Sequence, residues 1–358
     1  MTPIQFVDPD ALPRERRRLA VGSAEVHPFA TTDGVELRLT RFRGGSKGPV
    51  VLSHGLGVSS AIFATDTIGQ NLLEYLYAAG YDVWLLDYRS SIELQASLTS
   101  YDADQIARYD YPAAVSEVRA ATGAESVQMV VHCFGSTTFF MAMLSGLEGV
   151  RSAVASQVAM HLLASPLTRL KSGLHVPGAL GRLGVHSLTA YADSEEGWLE
   201  RLYDRALAHY PLEAEEHCDS AVCHRVSFLY GLLYEHERLA RQTHDTLHEL
   251  FGIASMRALD HLSLMVRRAH VVAADGADSY LPHLDRLAIP IRFVHGENNA
   301  CFLPRSTELS FELLSERNGA DLYTRRVVSS YGHIDCIFGE HAARDVYPLV
   351  LEHLEETQ

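Results

Sequence analysis

No apolar run in this sequence approaches the ~20 residues that a membrane-spanning helix needs, so a helical span is excluded. Met1-Thr2-Pro3-Ile4-Gln5 lacks the basic-then-apolar profile of a secretory leader, and a cytoplasmic location is the expectation. Basic residues are scarce: 30 Lys and Arg face 45 Asp and Glu, for a formal net charge of -15. Nucleic acids and anionic membrane surfaces are bound by basic patches, so neither is an expected partner. The one basic run, Arg14-Glu15-Arg16-Arg17-Arg18, is short and interrupted and reads as a solvated arm. Cysteine is sparse too. Five of them, an odd number, suit reduced thiols better than a disulfide framework. Internal repeats and low-complexity tracts are absent.

What is present is a rhythm of apolar runs. Strands are expected at Ala24–Ala30 and Val35–Arg43 around a turn at Thr32-Asp33-Gly34, then at Pro49–Ser53 and Tyr81–Leu86. Further strands fit Ser126–Val131, Val150–Gln157, Ile289–Gly296 and Tyr323–Ser329. Helices fit Thr67–Ala79, Tyr111–Thr122 and Ala342–Glu355. Strands alternating with helices at this spacing imply a mostly parallel central sheet with helices on both faces. Residues 161–286 interrupt the rhythm with helix-rich sequence of little β-character. They read as a helical cap insertion between a first core part, residues 1–160, and a second, residues 287–358.

Chemistry concentrates in Val130-Val131-His132-Cys133-Phe134-Gly135-Ser136. The segment puts a cysteine where an apolar strand must turn sharply into a buried helix, with a small residue two positions later. Leu52-Ser53-His54-Gly55-Leu56-Gly57 and Tyr331-Gly332-His333 follow two other strands. Together with Asp33-Gly34-Val35-Glu36-Leu37 and Gly332-His333-Ile334-Asp335-Cys336, these motifs resemble the lysosomal acid lipase branch of the α/β-hydrolases. From about residue 24 onward the chain is more closely similar to the hydrolase domain fused behind GMC-type (cholesterol-oxidase-like) flavin oxidoreductases, with its His-Cys-x-Gly-Ser elbow. No glycine-rich flavin-binding segment accompanies it here, and no cofactor is implied.

That resemblance implies an α/β-hydrolase fold with Cys133 as nucleophile on the elbow and His333 as base. The family's acid lies three residues past the glycine that ends the penultimate strand, which here is Asn299, with Glu297 as rival. The backbone N–H groups of Leu56 and Phe134 would form the oxyanion hole. Cysteine and asparagine fit together chemically. A thiol ionises readily beside an imidazolium or a helix N-terminus, so the imidazole needs orienting by an amide acceptor rather than a buried carboxylate. The expected activity is hydrolysis of a hydrophobic acyl ester or thioester through acyl-Cys133. Transfer of the acyl group to an alcohol or amine is the alternative, and a non-catalytic or redox-sensing module is a further one.

Other residues carry weaker signals. Cys301 and Cys336 follow catalytic segments and should line or underlie the pocket, or act as resolving thiols. His217-Cys218 and Cys223-His224 lack tight zinc spacing, so no metal is expected, and packed thiols are preferred over a local disulfide. Trp198, Leu199, Leu202 and Tyr203, then Phe228, Leu229, Tyr230, Leu232, Leu233 and Tyr234, recur at helical spacing and read as cap core and acyl pocket. A homo-oligomer is compatible with such a chain.

Overall fold

The computed structural model describes residues 14–165, 187–189 and 218–358. Among these, eight strands form one sheet: β1 (Glu25–Ala30), β2 (Glu36–Arg43), β3 (Pro49–Ser53), β4 (Asp82–Asp87), β5 (Val127–His132), β6 (Val150–Ser156), β9 (Ile291–Gly296) and β10 (Tyr323–Val328). The two remaining strands, β7 (Ser187–Thr189) and β8 (Ile253–Ser255), pair separately and antiparallel. The sheet order is β1-β2-β4-β3-β5-β6-β9-β10. β2 runs antiparallel to β1 and β4, and every other pairing is parallel. β3, β4, β5 and β9 are buried along their whole length, as strands covered on both faces must be. β1 alternates between partly buried and exposed residues, as a sheet edge with one solvated face should.

Helices follow the expected rhythm. α1 spans Leu72–Ala78, α2 Tyr111–Thr122, α3 Phe134–Leu144, α4 Ala221–Tyr230, α5 Met256–Arg268, α6 Arg305–Asn318 and α7 Tyr347–Glu356. α1 starts five residues later than the apolar periodicity suggests. Asn71 and Glu74 form a reciprocal capping box that fixes its first turn. The closing helix is split, because Pro348 in the first turn of α7 starts a new helix after Ala342–Asp345. All eleven residues of α3 are buried, the signature of a helix enclosed on every side.

One expectation fails in part. The basic arm is only partly solvated: Glu15, Arg16 and Arg18 are exposed, but Arg14 bonds Asp66 and Glu249, and Arg17 forks onto the buried Glu74. Partly buried bidentate pairs of this kind hold a segment far better than exposed ones. The stretch between β6 and β9 carries little β-structure among its described residues, the short β7–β8 pair. The cap aromatics Trp198, Leu199, Leu202 and Tyr203 lie outside the described residues.

The parallel arrangement gathers four chain segments at one end of the sheet. His54-Gly55-Leu56 follows β3, Cys133 follows β5, Asn299 follows β9 and His333 follows β10. Carboxyl ends of parallel strands are where ligands bind in such folds.

Candidate active site

Cys133 is the residue at which β5 becomes α3. Its backbone sits at φ 56°, ψ -128°, a left-handed conformation that a side-chain-bearing residue adopts at a cost of roughly 1–3 kcal/mol. The turn is tight because neighbouring backbone crowds it. A Cβ at Gly135 would lie 2.1 Å from the His54 carbonyl oxygen, and one at Gly55 would lie 3.3 Å from the Cys133 Sγ. The backbone N–H groups of Phe134 and Leu56 both donate to that sulfur. The loop carrying Leu56 is held from below, where the Tyr88 hydroxyl donates to the His54 carbonyl at 2.9 Å and its ring stacks on His54.

Two imidazoles face the thiol. The Cys133 Sγ and one ring nitrogen each of His132 and His333 lie within 4.8 Å of one another, with the two ring centroids 4.9 Å apart. Burial pushes the Cys133 thiol up to about 12 and the His132 imidazole down to about 3, and it holds His333 well below its ordinary value. The helix N-terminus and two N–H donors do not offset that burial. Burial therefore works against the preformed ion pair that the thiol's chemistry suggested, while Cys133 itself keeps some exposure to solvent.

Asn299 meets His333, with its Nδ2 3.0 Å from the ring Nδ1, while Glu297 is exposed on the turn outside. The amide is turned opposite to the expectation. Its Oδ1 accepts the backbone N–H groups of Cys301 and Phe302, both at 3.0 Å. Its Nδ2 donates to the Gln157 Oε1 at 2.9 Å. Gln157 Oε1 is itself fixed by accepting the Gly296 N–H at 3.0 Å. A flipped Asn299 would set its NH2 against two N–H donors, so the amide donates to His333 Nδ1 and leaves the ring proton on Nε2. Nε2 of His333 has no hydrogen-bond partner, nor has Nε2 of His132, whose Nδ1 lies 3.1 Å from the Ser156 hydroxyl.

Sequence reading missed three participants. Gln157, strained at φ 78°, orients Asn299. His132 was noted only as the residue preceding Cys133. Tyr230 carries a buried hydroxyl without a partner, interacts electrostatically with Cys133, and lies so close to Gly57 that a Cβ there would meet the hydroxyl at 1.9 Å. The positive φ of Gln157 and the closeness of Tyr230 are tertiary properties with no local sequence signature. Cys301 and Cys336 are buried beneath the site, one beside the Asn299 Oδ1 and one against Gln157. All five cysteines are free thiols.

A well-defined cleft lined by Asp104, Arg108, Tyr280 and Arg286 opens at the far end of α3, near Leu144. Eleven residues of helix, about 16 Å, separate it from Cys133, so it is not the reaction site.

Residues 48–340 match the α/β hydrolase fold family. The chain belongs to that family. Among curated relatives, the α/β-hydrolase chain is 25% identical to lipase lipl-3 of Caenorhabditis elegans, over 91% of this chain and 88% of that protein. It is 21% identical to gastric triacylglycerol lipase of Bos taurus, over 93% and 88%. The human lysosomal acid lipase/cholesteryl ester hydrolase is 29% identical over a shorter span, 46% of this chain and 44% of that one. Of solved structures, an esterase of Pyrococcus furiosus superposes with a TM-score of 0.53 at 13% identity, covering 97% of this chain and 98% of its own. A monoacylglycerol lipase of Paleococcus ferrophilus gives 0.54 at 17% identity, covering 89% and 100%. Among the described residues, no helix is long and apolar enough to cross a membrane.

Proposed function

We propose that this α/β-hydrolase cleaves hydrophobic acyl esters or thioesters through an acyl-Cys133 intermediate. The observation that carries the reading is the Cys133 thiol on a strained strand-to-helix turn, with the N–H groups of Leu56 and Phe134 aimed at it and two buried imidazoles beside it. The lipase relatives support an apolar ester as substrate.

In this reading the substrate carbonyl oxygen lies between the Leu56 and Phe134 N–H groups. The sulfur attacks the carbonyl carbon as its proton passes to an imidazole, and the C–S bond forms. The tetrahedral intermediate collapses, the C–O or C–S bond to the leaving group breaks, and the imidazolium returns the proton to that group. Water then attacks the acyl-Cys133, losing its proton to the imidazole, and the acid and the thiol are released. Because burial disfavours the thiolate, proton transfer accompanies attack in this reading.

His333 is the proposed base, in line with its place after β10. Accepting the thiol proton on Nε2 requires its own proton to move to Nδ1, so the Asn299 contact must open in the reacting state; hydrogen bonds of resting sites often tighten or rearrange on substrate binding. A second reading rests on the free Nε2 of His132, which can take the proton directly if its Nδ1–H donates to Ser156. Rates of ester and thioester cleavage for the parent, Cys133→Ala, His333→Gln and His132→Gln test both. Cys133→Ala should lose at least ~1,000-fold in kcat/KM. Retention of activity by that variant would overturn the proposal. Adding alcohols to the same assay separates hydrolysis from acyl transfer.

A further inference from the structure

Cys218, Cys223, His236 and His244 are distant in sequence from the elbow, yet one sulfur or ring nitrogen from each lies within 4.8 Å of the others. Cys218 precedes α4 and Cys223 lies in its first turn, where its backbone N–H is fixed by the cap residue Ser220. His236 lies in the short turn His236–Arg238 and His244 in the helix Arg241–Asp245. We infer that these four residues form a closed, structural zinc site in the cap, built as Cys-x4-Cys-x12-His-x7-His.

The sequence reading paired the cysteines with the wrong histidines. His224 turns away and bonds the Cys218 carbonyl at 2.8 Å, and His217 lies outside the described residues. The ligands come instead from elements that fold back onto α4. Zinc holds thiolate at about 2.3 Å and imidazole at about 2.0–2.1 Å, so the edges of its tetrahedron measure roughly 3.4–3.8 Å. The Cys223 Sγ lies 3.5 Å from the His236 Nε2, one such edge. The Cys218 sulfur faces Cys223, His236 and His244 together. Nε2 of His244 is buried with no hydrogen-bond partner. The Tyr234 hydroxyl donates to the Cys223 Sγ at 3.0 Å, the kind of outer contact that orients a metal-bound thiolate.

Charge also balances. Two thiols lose their protons, two imidazoles stay neutral, and a divalent ion closes a site of zero net charge. Four protein ligands leave no open position, which marks a structural rather than a catalytic role. The ion would clamp a segment that serves the reaction site. Between the ligands lies Leu233, whose carbonyl accepts the backbone N–H groups of His333 at 3.0 Å and Ile334 at 2.7 Å. α4 itself carries Tyr230 against the loop of Leu56.

Metal analysis of the full-length protein, purified without chelator, tests the inference. About one zinc per chain is expected. The Cys218→Ser/Cys223→Ser double variant should lose it, and Cys133→Ala should keep it. Cobalt added to demetallated parent protein should give the visible bands of a tetrahedral ion and a thiolate-to-cobalt charge-transfer band. Thermal unfolding of demetallated protein should shift upward on zinc addition for the parent and Cys133→Ala but not for the double variant. A folded parent protein that holds no zinc and gives no such cobalt spectrum overturns the inference, whether or not the double variant folds. So does a native Cys218–Cys223 disulfide, seen as a mass lower by two hydrogens, or zinc that is lost from Cys133→Ala instead.

Discussion

Lowering the pH from 7 to 5 should unfold this protein or bring it close to unfolding. Five histidines among the described residues are at most 3% exposed and held neutral by burial: His54, His132, His295, His333 and His353. Burial lowers His54, His295 and His353 to about 4 and His132 to about 3, and it holds His333 well below 6.5. Between pH 6.5 and 4 the unfolded chain binds protons at these rings and the native chain does not, so stability rises with pH. That stability is complete above 6.5 and is lost as pH falls toward the folded values. His54, His132, His295 and His353 each contribute roughly 2 kcal/mol of loss between pH 7 and 5, roughly 8 kcal/mol together, and His333 adds to it in the same direction. Asp335 and Asp110 oppose this. Their buried carboxyls are pushed up to about 7 and about 6, so the native state gains protons in the same interval and recovers roughly 3 kcal/mol. The net loss, roughly 5 kcal/mol before His333 is added, compares with a total stability of roughly 5–15 kcal/mol for a typical domain. Urea unfolding followed by circular dichroism at pH 7, 6 and 5 measures it. A midpoint that moves by less than the equivalent of ~2 kcal/mol, at constant slope, would refute the reasoning.

Further outcomes follow from single contacts. Gly135→Ala places a methyl 2.1 Å from the His54 carbonyl and should cost up to ~3 kcal/mol or more, read as a fall in melting temperature. Asn299→Ala strips the Cys301 and Phe302 N–H groups of their acceptor and should destabilise by about 1–3 kcal/mol in the same assay. Cys133→Ser alone should be nearly inactive, because Asn299 donates to His333 and cannot support an imidazolium. Adding Asn299→Asp should restore at least tenfold in kcat/KM, and a double variant no better than Cys133→Ser refutes the coupling of the two positions. If His132 is the proton acceptor, His132→Gln should cost more in kcat than His333→Gln; equal or reversed losses return the role to His333.

How much was legible depends on range. β3 came from an apolar run, and its boundaries match the observed strand because burial on both faces of a parallel sheet imposes such runs; β10, a half-exposed edge strand, ends one residue earlier than read. α1 was read too long because Thr67–Gln70 fits helical spacing, while the Asn71 cap decides where the helix begins. The position of Asn299 was readable from its spacing after Gly296, but its orientation was not. That depends on the N–H groups of Cys301 and Phe302 and on Gln157, a residue 142 positions away in the chain. The upward push on the Cys133 thiol likewise comes from burial against segments distant in sequence, which no local pattern encodes. The arm residues Arg14 and Arg17 have partners 52 and 57 positions away, so their charge looked solvated when read locally.

The claim at the centre of this account is that acyl transfer passes through the Cys133 sulfur. Intact-mass measurement with peptide mapping, on protein quenched in acid during turnover of a panel of acyl esters and thioesters, tests it most directly. The account predicts one acyl group per chain, on the peptide that contains Cys133, labile to hydroxylamine and absent from Cys133→Ala. Turnover with no adduct on Cys133, and equal rates for Cys133→Ala and the parent, would contradict it.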